Sequence, residues 1–127
     1  MNSNTDSLLA EIVQQEGLIS LNQEDIDNFK EGATRTDAIK VGGDADNLGS
    51  VIGDALATLT ARNDNMPIKK CLTAIGGFPA SEGVPMEIMN DVNDVFDKMD
   101  DIEIKWSLSL SDNIPEGKIE VIVGAAF

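Results

Sequence analysis

The side chains that most enzymes use for proton transfer and nucleophilic attack are nearly missing from this chain. It contains no histidine and a single cysteine, Cys71. Ser-His-Asp triads, Cys-His pairs and ordinary zinc sites are therefore excluded. Carboxylates remain, 23 Asp and Glu in all. Asp25, Glu82 and Asp112 fall in turns or at helix starts, where carboxylate chemistry between subunits would be placed. Asp44-Ala45-Asp46-Asn47-Leu48-Gly49 opens like a calcium loop, with acids at loop positions 1 and 3 and glycine at 6. Positions 5 and 12 of such a loop would be Leu48 and Ala55, where an oxygen ligand and a bidentate Glu are required. The segment reads instead as a turn with a helix N-cap, its acids favoured by the positive end of the helix. Cys71 sits between Lys70 and Leu72 in an apolar strand pattern. Neither a histidine nor a helix start is there to activate its thiol. The residues alone therefore predict no catalytic group, no cofactor and no metal.

Composition points the same way. Across 127 residues, 9 Lys and Arg against 23 Asp and Glu leave a net charge of −14. That charge argues against nucleic acid or an anionic membrane as partner. At 42% hydrophobic residues the chain can still fill a core, so it is expected to fold. No run approaches 18 apolar residues, and Met1–Leu8 is polar without a basic start, so neither a membrane span nor a signal peptide is expected. With one cysteine and no intrachain disulfide, the cytoplasm is the expected compartment.

The elements that position these residues follow from periodicity. Leu8, Leu9, Ile12 and Val13 repeat at helical spacing and predict a short helix over Asp6–Gln15, stopped by Gly17. Gly17-Leu18-Ile19-Ser20-Leu21 reads as a turn leading to Asn22, the N-cap of a second short helix over Gln23–Lys30. Thr36–Val41 alternates as a strand closed by Gly42-Gly43. A long helix follows from Asp46 or Asn47, with Leu48, Val51, Ile52, Ala55, Leu56 and Leu59 on one stripe, broken by Asn63-Asp64-Asn65. Ile68–Ile75 is the next strand, with Gly76-Gly77, like Gly42-Gly43, read as a strand-ending turn needing positive φ. A further helix begins near Ser81, and its acids Glu87, Asp91, Asp94, Asp97, Asp100 and Asp101 form a solvated face opposite its apolar stripe. Strands over Ile102–Leu110 and Lys118–Ala126 finish the chain. The expected fold is an α/β domain of the α+β two-layer sandwich kind. It comprises a four-stranded mixed sheet with two long helices on one face, plus short N-terminal helices. All 127 residues form one domain, with 1–31 as an N-terminal helical segment and 32–127 as the α/β core.

One strand carries further information. Ile102, Ile104, Trp106, Leu108 and Leu110 face one way, and Glu103, Lys105, Ser107, Ser109 and Ser111 the other. Such alternation belongs to a sheet with one wet face. Lys40, Lys118 and Glu120 also alternate within strands, and five of the nine basic residues (Lys40, Lys69, Lys70, Lys105, Lys118) map to strands. Lys40, Lys105, Ser107, Ser109 and Glu120 therefore mark the expected interaction face, less negative than the helix side.

Leu9–Ile26 resembles the segment where the central helix of FtsZ, the bacterial tubulin-like division GTPase, enters its C-terminal domain. Gly17-Leu18-Ile19 matches that family's Gly-Leu-Ile at the start of its catalytic loop. Ile75-Gly76-Gly77 resembles the family's strand end, and Ile119–Phe127 its closing strand with small residues and a final Phe. Order and spacing agree from about Leu8 to Phe127. The resemblance implies an FtsZ-like C-terminal domain standing without the GTP-binding half, since neither a Gly-rich tubulin signature nor a G-x-x-x-x-G-K-[ST] loop occurs. In the catalytic loop the family places an Asn and two acids. The matching positions here are Ser20, Asn22 and Asp25, so the second acid alone survives. A carboxamide at position 22 brings neither a charge nor a titrating proton to orient water. What the resemblance implies is a non-enzymatic protein-interaction module, a partner or regulator of tubulin-like filaments or a self-assembling relic of one. FtsZ or a second copy would be the partner. The alternative is a small-molecule-binding or enzymatic homo-oligomer with sites between subunits.

Overall fold

A computed structural model describes residues 7–10, 12, 17–19, 21–44, 47–78, 86–97, 102–110 and 118–127. Among these described residues, five strands and three helices follow the helical residues 7–10 and 12. In chain order these are β1 (Gly17–Ile19), α1 (Gln23–Lys30), β2 (Thr36–Asp44), α2 (Leu48–Arg62), β3 (Lys70–Phe78), α3 (Met86–Asp97), β4 (Glu103–Leu110) and β5 (Lys118–Ala126). The sheet is mixed, in the order β1-β4-β3-β5-β2. β3 and β4 run parallel, and the other neighbours pair antiparallel. This is the expected α+β arrangement, with one addition. Gly17-Leu18-Ile19, read from the sequence as a turn, forms a short edge strand against β4, with Gly17 opposite Ser109 and Ile19 opposite Leu108. Three residues are too few for alternation to distinguish a strand from a turn.

Local chemistry explains the helix ends. α1 starts with a capping box, in which the Asn22 side chain accepts from the Asp25 N–H and the Asp25 carboxylate accepts from the Asn22 N–H. Each reciprocal bond satisfies a donor that the first helical turn leaves without an intrahelical partner. Gly32, at φ +75°, then turns the chain away from α1. Gly42 and Gly43 are not turn glycines. They lie inside β2, and a Cβ on Gly43 would stand 2.6 Å from Cγ2 of Val51 in α2. The bare backbone at Gly43 lets α2 cross close over the strand.

Both faces of the sheet are packed. On one, Leu48, Ile52, Ala55, Leu56 and Leu59 of α2 cover Cys71, Ile75, Val121 and Val123, with Val95 and Phe96 of α3 beside Ile104 and Trp106. On the other, Leu9, Ile12, Leu21, Ile26 and Phe29 cover Leu72, Ala74, Ile122 and Ala126. The N-terminal helical residues are thus a layer of the core. Gly124 makes the close approach possible, because a Cβ there would touch Leu9 Cδ2 and Phe29 Cζ, both at 3.4 Å.

Candidate functional site

Asn22, Asp25 and Lys105 meet where the start of α1 crosses β4. The Lys105 ammonium donates to Asp25 Oδ1 at 2.9 Å, while Asp25 Oδ2 takes the Asn22 N–H at 3.0 Å. The Asn22 hydrogen bond, followed by that from Lys105, holds the Asp25 carboxyl below its usual 3.8. The same contact raises the Lys105 ammonium above its usual value. A carboxylate so held remains ionised and carries two donors already, so it is a poor base for activating water. A second lysine fixes the other end of the helix. Lys70 of β3 donates to the carbonyls of Asn28 and Glu31 (3.2 Å for the latter), two groups at the negative end of α1. Two lysines from adjacent strands therefore clamp one short helix across the sheet face. The space between them, beside Asp25, Phe29 and Cys71, amounts to about 10 Å³, room for about one water.

The other predicted positions are dispersed. Ser107 lies in the sheet only 2% exposed, beside Ala74, and its Oγ has no hydrogen-bond partner among the described residues. Lys40 and Glu120 form an ion pair of 2.8 Å near the opposite edge of the sheet. The face expected to be wet is therefore covered at its centre, because the apolar stripe of the N-terminal helical residues and α1 lies on it. Ser107 is out of reach of a partner. The alternation in β4 does hold: Ile104 and Trp106 face the helices α2 and α3, while Lys105 and Ser107 face the other way. Ser109 contributes backbone pairing to β1. Ser20, Glu82 and Asp112 lie outside the described residues. Asp44 pairs with Lys118 rather than opening an ion-binding loop, and no group of three or more potential metal ligands occurs among the described residues. Burial pushes the Cys71 thiol up to about 11, despite the Thr73 hydroxyl 3.4 Å away. It is a buried, inert cysteine.

The sequence reading missed the reach of Lys70 and a cluster around Asp37. The Asp37 carboxylate accepts from Arg62 at 2.6 Å, from Asn63 Nδ2 at 3.0 Å and from the Ala38 N–H at 2.9 Å. Asn63 also donates to the Leu59 carbonyl at the end of α2. The cluster ties the end of α2 to the outer strand β2. The Asn-Asp-Asn run was readable as a helix stop, but its partner lies 26 residues away.

The geometry defines a helix-covered mixed sheet with a structural clamp where the resemblance places catalytic acids. Comparison with solved structures assigns the fold. A mutant FtsZ from M. jannaschii superimposes over 98% of this chain with a TM-score of 0.68 at 15% identity. TubZ of Bacillus thuringiensis serovar israelensis, in GDP-form protofilaments, superimposes over 98% with a TM-score of 0.66 at 14% identity. A helical model of a four-stranded TubZ-Bt filament gives 0.66 at 14%. The chain spans about a third of the length of these proteins, 37%, 35% and 33% respectively. Its fold is thus that of part of the tubulin-like proteins FtsZ and TubZ. No protein-family model and no curated protein matches the sequence.

Proposed function

We infer that this chain is a non-enzymatic protein-interaction module built on an FtsZ/TubZ-like domain. It acts in the cytoplasm beside tubulin-like filaments, as a partner or regulator of them or through its own self-assembly. The observation that carries this reading is the state of Asp25. The one acid kept at the catalytic-loop positions serves as a helix cap and as the anchor of Lys105, a fixed structural role rather than a poised one. The small cavity beside it, about 10 Å³, offers no volume for a nucleotide or metabolite. The solved filaments of TubZ are the ground for placing the partner among filament-forming proteins, or in a second copy.

The test is phosphate release from GTP by the pure chain, alone and mixed with an assembling FtsZ-type protein. A rate at the buffer blank for the chain alone, together with a changed rate in the mixture, supports the reading. Turnover by the chain alone that is lost in Asp25→Asn would replace it with an enzymatic one.

A further inference from the structure

The layer that covers the sheet opposite α2 and α3 belongs to one stretch of chain. Leu9, Ile12, Leu21, Ile26 and Phe29 all precede Gly32 in the sequence, whereas Leu72, Ala74, Ile122 and Ala126 beneath them all follow it. The two lysine contacts divide in the same way. Asp25 meets Lys105 of β4, and the carbonyls of Asn28 and Glu31 meet Lys70 of β3. β1, also before Gly32, pairs with β4. The chain therefore passes once, at Gly32, between an arm and the strands that receive it.

That passage is short and turns at one residue. Glu31 closes α1 by donating to the Asp27 carbonyl, and its own backbone is already extended, at φ −63° and ψ 126°. The ladder against β5 begins at Thr34 and Arg35, whose N–H groups both donate to the Phe127 carbonyl. Between them lie Gly32 and Ala33, with the Ala33 N–H donating to the Lys30 carbonyl at 3.2 Å. Gly32 takes φ +75°, and a Cβ there would meet nothing within 4 Å among the described residues. Glycine populates positive and negative φ about equally. A change at Gly32 from left-handed to extended thus straightens the passage without steric cost and gives up one turn hydrogen bond. The covered face also resists its cover in part. Ser107 Oγ is buried beside the arm with no partner among the described residues, and a hydroxyl that loses water without gaining a bond offsets part of the gain from apolar burial.

We propose that this N-terminal arm is exchangeable: two copies open at Gly32 and each lays its arm on the sheet of the other, giving a homodimer in which the Asp25–Lys105 contact joins different chains. The proposal rests on the self-assembly side of the interaction-module reading and names both the surface and its occupant. The occupant follows from fit. The segment seen to match this face is the arm itself, with Leu9 and Phe29 against the bare backbone of Gly124, and an acid and two carbonyls against two lysines. A second copy supplies the same segment, so exchange restores each of these contacts. Monomer and dimer then differ chiefly at the two hinges, in charge repulsion and in the freedom lost on association. Because the chain carries −14, the dimer should gain with protein concentration and with salt.

The hinge and the clamp each supply a test. Gly32→Val penalises the left-handed turn and favours the extended one, by about tenfold at each hinge. The association constant of the dimer in sedimentation equilibrium should therefore rise about 100-fold. Gly32→Asn, whose side chain tolerates the left-handed region, should associate as the parent does. At the clamp, Asp25→Lys sets an ammonium beside Lys105, and Lys105→Glu sets a carboxylate beside Asp25. Each variant alone is mismatched, as a monomer and in its own homodimer. Unfolded together in urea and refolded together, the two chains should form a one-to-one heterodimer. In it the introduced lysine meets the introduced glutamate across one contact, and Asp25 meets Lys105 across the other. This species should melt above either variant refolded by itself. The hinge comparison does not depend on the clamp variants folding. A mixture that sediments as monomers and melts as its two parts overturns the proposal, as does an association unchanged by Gly32→Val. Either result leaves the interaction-module reading standing, on another surface or with filament protein as the partner.

Discussion

Truncating Leu9 asks whether the N-terminal helical residues belong to the fold. Leu9 is 1% exposed and lies against Gly124 of β5, with Phe29 alongside. Leu9→Ala removes the side-chain methyls and leaves a cavity bounded by the sheet, which the short helix cannot fill without leaving Ile12 and Phe29 behind. Buried Leu→Ala changes cost about 2–5 kcal/mol, and a position under one short helix should fall in the lower half, about 3 kcal/mol. Near 60 °C unfolding entropy is about 2.1 cal/mol/K per residue, so for a chain of this length about 3 kcal/mol lowers the melting temperature by about 11 °C. Thermal unfolding followed by far-UV circular dichroism reads this directly. Ser7→Ala, at an exposed position on the same turn, is the control and should stay within about 0.5 kcal/mol of the parent. If Leu9→Ala melts with the parent, the segment is a tail and the second packed face is not part of the cooperative core.

Other consequences follow from individual contacts. Because the folded value of Asp25 lies below its usual 3.8, its stabilisation is fully present above that pH and is lost as pH falls through the folded value. The gap in melting temperature between the parent and Asp25→Asn should therefore be constant near neutrality and close on acidification below about pH 4. Lys105, raised by the same contact, contributes stability that is present below its usual value and lost as pH rises through the folded one, so Lys105→Met should flatten the alkaline limb of the same profile. The Cys71 thiol, buried and raised to about 11, should resist a thiol reagent in the native protein and react at a rate that tracks unfolding; fast labelling would contradict its burial. Gly43→Ala should destabilise by about 1–3 kcal/mol through overpacking against Val51, a β-branched side chain with little rotamer freedom, as urea unfolding will show.

The sequence carried the elements better than their associations. α1 and β5 have the bounds that capping and alternation predict, because Asn22 with Asp25 forms a local box and Lys118–Ala126 is a run of sheet formers. β2 and β3 run on past the glycines assigned to turns. At Gly43 the reason is Val51 in α2, a neighbour that a local pattern does not show. The alternation in β4 separates its two faces, but polar residues on one of them do not make that face wet. Lys105 and Ser107 lie instead beside a layer supplied by Leu9, Ile12, Leu21, Ile26 and Phe29. The serine accommodates burial by being small, and the lysine by reaching the start of α1. The resemblance sets the acid at position 25 among catalytic-loop positions, whereas the structure shows it capping α1 and pairing with Lys105. Its structural use depends on a lysine 80 residues away, and such long-range pairs leave no periodic signal.

The central claim, that the chain works by binding filament-forming protein and not by chemistry, is tested most directly by co-sedimentation with assembled FtsZ-type filaments across a concentration series. The account predicts saturable pelleting of the chain with the filaments, or a filament mass that changes in proportion to the chain added. A chain that stays wholly in the supernatant, with filament mass unchanged at every ratio, would contradict it.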